Sequence, residues 1–240
     1  FMAACFSGRL DNVKVWLNKF PSWNINRRNT GFGSTALNIA ALFGPRKFEL
    51  IKFLIEEANA STRCISYSGS PLLSLAVENE DADPNVIRYL LNRDGMFNVM
   101  KRSRSQTLKW KIIRGIARVA IRTNTTRSAL LKTIAEDGGA TPLHYAAKRG
   151  DVEIVEILME SGANASVEND LGHDVLSFCQ AFPEIKGAIE RVQREMERTK
   201  HHHNNKNPSK SNMKSRIKSC APSTSPTSLS QNPSKRFPLQ

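Results

Sequence analysis

The segment Gly139-Ala140-Thr141-Pro142-Leu143-His144-Tyr145-Ala146-Ala147-Lys148-Arg149-Gly150 constrains this chain more than any other stretch. Gly permits the backbone angles of a tight turn, Thr can cap a helix, Pro suits the first helical position, and the paired Ala residues let helices approach closely. Val152, Ile154, Val155, Ile157 and Leu158 follow at helical spacing, so the unit reads as a turn and two short helices. It recurs along the chain. Gly172 follows Gly139 by 33 residues, while Gly33 and Gly69, 36 residues apart, open Gly33-Ser34-Thr35-Ala36-Leu37-Asn38 and Gly69-Ser70-Pro71-Leu72-Leu73-Ser74. A helix pair this short cannot bury its apolar side alone, and repetition buries it against its neighbours.

Thr141-Pro142-Leu143-His144 and the later Ser161-Gly162-Ala163-Asn164 resemble the ankyrin repeat, whose period is about 33 residues. The resemblance implies an all-α fold, an ankyrin-repeat solenoid of stacked helix-turn-helix repeats with β-turn fingers, over residues 1–198. About five repeats are expected. Gly8 matches Gly150, which places Phe1 inside a first helix already under way; with no Met at its start, the chain reads as a fragment of a longer protein. The 70 residues between Gly69 and Gly139 leave room for a degenerate repeat near 101–138, with helices from Thr107 to Arg122 and from Arg127 to Glu136. Asp83-Pro84 should open the helix from Asn85 to Asn92. Past Phe182-Pro183, the positions Ile185, Ile189, Val192 and Met196 predict a closing helix near 184–198.

Charge divides the chain. From Thr199 to Gln240 there are eight Lys or Arg and no acid among Ser, Pro and Asn, a composition that predicts a disordered basic tail over 199–240. Lys101 to Lys132 carries ten more basic residues and no acid, leaving a net −5 on the rest of a chain whose total is +13. No apolar run is long enough to span a membrane, and Cys5, Cys64, Cys179 and Cys220 stand far apart without zinc-ligand spacing. Reduced thiols are the expectation, and with them an intracellular location, cytoplasmic or nuclear, the latter hinted at by the basic run Lys214 to Lys218.

Residues that could carry chemistry each have a plainer reading. The resemblance implies that His144 makes structural hydrogen bonds within its turn. Gly31-Phe32-Gly33 lacks the third Gly of a dinucleotide fingerprint, and Glu78, Glu80, Asp81 and Asp83 lack the central Gly and terminal Glu of a calcium loop. His201-His202-His203 reads as a low-complexity tract. No catalytic activity, cofactor or metal is expected.

Binding is expected instead. The family's recognition positions, carried onto this register, are Phe32, Ser34, Leu42 and Phe43; Tyr67, Ser70, Glu78 and Asn79; Asp137, Ala140, Lys148 and Arg149; and Asp170, Leu171, His173 and Phe182. Exposed aromatics and Arg usually dominate interface energetics, which singles out Phe32, Phe43, Tyr67 and Arg149. The implied partner is a protein met by the concave face and turn tips. Three other roles are open. The chain could be a regulatory or targeting segment of a larger enzyme or channel. Its basic helix and tail could bind nucleic acid non-specifically. Within 107–122, Leu108, Ile112, Ile116 and Val119 trace one face and Lys111, Arg114, Arg118 and Arg122 another, a pattern that suits a calmodulin-like partner.

Overall fold

A computed structural model describes residues 1–43, 48–94, 98–179 and 182–206, with side chains as far as Thr199. The basic segment from 207 to 240 lies outside the described residues, as do Lys214 to Lys218 and Cys220. Among the described residues there is no strand. Residues 1–197 form one unit.

That unit is built from helix pairs. They are α1 (Met2–Phe6) with α2 (Leu10–Lys19), α3 (Ala36–Leu42) with α4 (Phe48–Glu56), α5 (Leu72–Glu78) with α6 (Pro84–Asp94), α7 (Leu108–Arg122) with α8 (Ala129–Glu136), and α9 (Pro142–Arg149) with α10 (Val152–Glu160). A 3-10 turn, Val175–Phe178, and a long helix α11, Pro183–Lys206, follow. Helix α11 therefore continues eight residues past the boundary that composition places before Thr199.

Local chemistry sets the helix starts. Thr35 accepts from the Asn38 amide, Thr107 from Trp110, Asp151 from Ile154 and Asp174 from Ser177. Asp83 accepts from the Asn85 amide and opens α6. At α9, His144 Nδ1 accepts from the Thr141 amide at 3.2 Å, which assigns the ring proton to Nε2, 3.3 Å from the His173 carbonyl it donates to. His144 thus ties its own turn to the next one. Burial lowers its pKa, which favours the neutral ring this arrangement requires.

The inner helices pack in the order α1, α3, α5, α9 and then the 3-10 turn; the outer helices α4, α6 and α10 pack alongside. Helix α9 rests directly on α5, and α10 on α6. The pair α7–α8 is therefore not a repeat in the stack, contrary to the expectation from spacing. The finger contacts say what it is. Asn29 donates its amide to Ser34 O across the first finger, Ser66 to Ser70 O across the second, and Asn169 to His173 O across the last. The equivalent pair in the third finger is Ser103 to Ala140 O at 2.8 Å, returned by Gly139 to Ser103 O at 2.9 Å. The α7–α8 hairpin is an insertion at the tip of the third finger.

Two glycines mark close approaches. A Cβ on Gly69, where φ is +97°, would overlap the Arg104 carbonyl of the next finger. Gly150 ends α9 at φ +75°, and a Cβ there would lie 2.6 Å from the Phe182 ring. Gly150→Ala is expected to cost about 1–2 kcal/mol from backbone strain alone, and more if Phe182 cannot move, as a lower thermal midpoint would show. An unchanged midpoint would contradict the left-handed backbone at Gly150.

Candidate functional site

Three exposed aromatic side chains of the stack, Phe6, Phe32 and Phe43, gather at one place. Met2 and Phe6 from α1, Ile39 and Leu42 from α3 with Phe43 just beyond it, and Leu75 from α5 form one wall of a pocket of about 420 Å³. Phe32, Ser34 and Ser68 of the first two fingers form the other. Asn29 shapes the finger wall: its Oδ1 accepts from the amides of Phe32 and Ser34, both at 3.1 Å. The Phe6 and Phe43 rings meet at a tilt with centroids 4.9 Å apart, and both remain exposed, as does Phe32. An apolar pocket rimmed by a few polar groups suits an apolar side chain presented by a protein.

Four positions named from the sequence, Phe32, Ser34, Leu42 and Phe43, line this pocket together. Phe6 was missed. Its register was visible, because Phe6 stands two residues before Gly8, as Leu42 stands before Gly44 and Lys148 before Gly150.

The remaining named positions lie elsewhere. Ser70, Asn79 and Ala140 are buried and offer no surface, and Asn79 spends its amide nitrogen on the Ala41 carbonyl. Arg149 is a structural staple. Its guanidinium donates to the carbonyls of Val77, Asn79 and Glu80, fastening α9 to the end of α5. Tyr67 is half-buried, its ring against Gly33 and the Arg28 guanidinium. Asp170 pairs with Arg102 at 3.8 Å and Arg118 at 3.5 Å. Leu171 is half-buried, whereas His173 and Phe182 are exposed, Phe182 over Gly150.

Glu78, Asp137 and Lys148 meet the inserted hairpin. Lys148 pairs with Glu136 of α8 at 2.9 Å, and the buried Arg114 of α7 donates to Ser103 O at 3.2 Å. Burial, then the charge of Asp137, raises the Glu78 carboxyl to about 7 against the pull of Lys148 and Arg114. Burial raises Asp137 to about 6, again opposed by Lys148 and Arg114.

Helix α7 and the segment just before it reach all four fingers. The Trp110 and Phe32 rings are 5.9 Å apart at the first finger, and the Gln106 backbone amide, ahead of the helix, donates to Tyr67 O at the second. Arg114 reaches Ser103 at the third, and Arg118 reaches Asp170 at the last. These three side chains, Trp110, Arg114 and Arg118, recur every four residues and so share one side of the helix.

The family model described as ankyrin repeats (many copies) matches residues 1–55, and the single ankyrin repeat model matches 138–170. The second match begins where the inserted hairpin ends. No significant match was found among curated proteins. With its inner helices in one row, a finger before each new pair and both family matches falling on stacked repeats, the chain contains ankyrin repeats, matched over residues 1–55 and 138–170.

Proposed function

We propose that the chain binds a protein partner by seating an apolar side chain of that partner between Phe6, Phe32 and Phe43. Ankyrin repeats are in general protein-protein interaction modules. The observation that supports this site is the 420 Å³ pocket itself, apolar on its helical wall and hydrogen-bonded into shape on its finger wall. The inserted hairpin engages Lys148, while Phe6, Phe32 and Phe43 on the first two repeats keep exposed faces beside it.

Exposed aromatics at such a pocket carry a disproportionate share of binding energy. A partner captured with the chain as bait should lose about 1–3 kcal/mol of affinity on Phe32→Ala or Phe43→Ala, with Phe6→Ala close behind. The thermal midpoint should stay near that of the parent for Phe6→Ala and Phe43→Ala, whose rings are exposed, and fall slightly for Phe32→Ala, which also loses its contact with Trp110. Arg149→Ala should instead destabilise the fold, since it frees three carbonyl contacts. Isothermal titration beside a thermal melt separates the two effects, and parental affinity in the triple Phe variant would rule the pocket out.

A further inference from the structure

Helix α7 carries a second apolar surface, facing away from the fingers. Leu108, Ile112, Ile116 and Val119 are between 52 and 73% exposed. Their spacing aligns them in one stripe roughly 16 Å long, at 1.5 Å per residue. Lys109 borders the stripe on one side, and Lys111 and Arg122 on the other, while the whole run from Lys101 to Lys132 contains no acid. Elsewhere on the helix Arg114 and Ala117 are buried, and α8 packs against α7 while leaving the stripe exposed.

We propose that this face of α7 docks the protein on an anionic lipid surface, the stripe entering the interface and the flanking Lys and Arg meeting headgroup phosphates and carboxylates. A preformed helix with an apolar stripe between two basic margins has the chemistry of an interfacial helix. It lies on the bilayer; no described helix is long and apolar enough to cross one. One-sided exposure decides between occupants. A calmodulin-like partner encircles its helix and would have to strip α7 from α8 and the fingers, whereas a bilayer touches only the side that is free. A second copy of the chain would set Lys109, Lys111 and Arg122 against the same charges.

The test is co-sedimentation of the whole chain with vesicles of phosphatidylcholine alone or with about 30% phosphatidylserine. Sedimentation is expected with the anionic vesicles only, weakening as salt rises to about 0.5 M. Ile112→Glu with Ile116→Glu should reduce the bound fraction at least about tenfold, with circular dichroism and thermal midpoint unchanged. If that variant melts early, Ile112→Ser with Ile116→Ser asks the same of a gentler change. The segment from 207 to 240 supplies basic charge without such a stripe, so binding that survives in a folded stripe variant overturns the proposal. Equal binding to neutral vesicles overturns it too, as does retention on calcium-loaded calmodulin with no sedimentation on either vesicle.

Discussion

Leu143→Ala and Leu158→Ala should each cost about 2–5 kcal/mol, the range for a fully buried leucine whose loss leaves a cavity. Both side chains are fully buried, Leu143 in α9 and Leu158 in α10. Helix α9 lies between α5 and the 3-10 turn, and α10 packs on α6. Arg191 of α11 pairs with Glu156 of α10 at 2.7 Å, so the closing helix touches the same repeat. In a stack held by nearest-neighbour interfaces, a cavity at this point loosens the repeats on both sides. Leu130→Ala is the control. That side chain is 69% exposed, and its loss should change stability by no more than about 0.5 kcal/mol. Urea unfolding of the three variants checks the contrast, and equal midpoints would refute the assignment of α9 to the centre of the stack.

Glu78→Gln should stabilise the protein at neutral pH and lose that advantage in acid. The carboxyl is raised from 4.5 to about 7 in the folded state, so the folded protein holds a proton that the unfolded chain releases. The stability linked to this proton is fully present below about pH 4.5 and is lost as pH rises through about 7. Asp137 acts in the same direction between 3.8 and about 6. An amide at position 78 removes the larger of the two contributions. The gain should reach about 1–3 kcal/mol near pH 8 and shrink towards zero near pH 4. Melting curves across that range provide the check; a gain that is constant with pH, or that grows in acid, would show that Glu78 is not strained by burial.

The repeats were legible because their chemistry is local. Thr141, Pro142 and His144 specify a helix start and its link to the next finger, and Ala40-Ala41 and Ala146-Ala147 mark inner helices that approach closely. The four pocket residues named in advance follow from that register alone. The inserted hairpin was read as a repeat because it has two capped helices and a length close to one period. Periodicity says that Leu108, Ile112, Ile116 and Val119 share a face, and is silent on whether anything covers it. The telling difference is that α7 has no paired Ala residues and instead places Arg114 and Arg118 towards its neighbours. Arg149 shows the complementary limit. No sequence rule tells a guanidinium free to bind a partner from one already taken up by three carbonyls about 70 positions earlier.

The insertion also changes the order in which the stack can be completed during synthesis. Helices α5 and α6, in which Val77, Val86, Ile87 and Leu90 are buried, pack on α9 and α10, which lie beyond the inserted hairpin in the chain. At a ribosomal rate of about 5–20 residues per second, the added hairpin delays those neighbours by roughly 2–7 seconds. During that interval the nascent chain displays an unfinished apolar edge beside a hairpin that can already close on itself. This is the moment at which a holding chaperone would find most to grip.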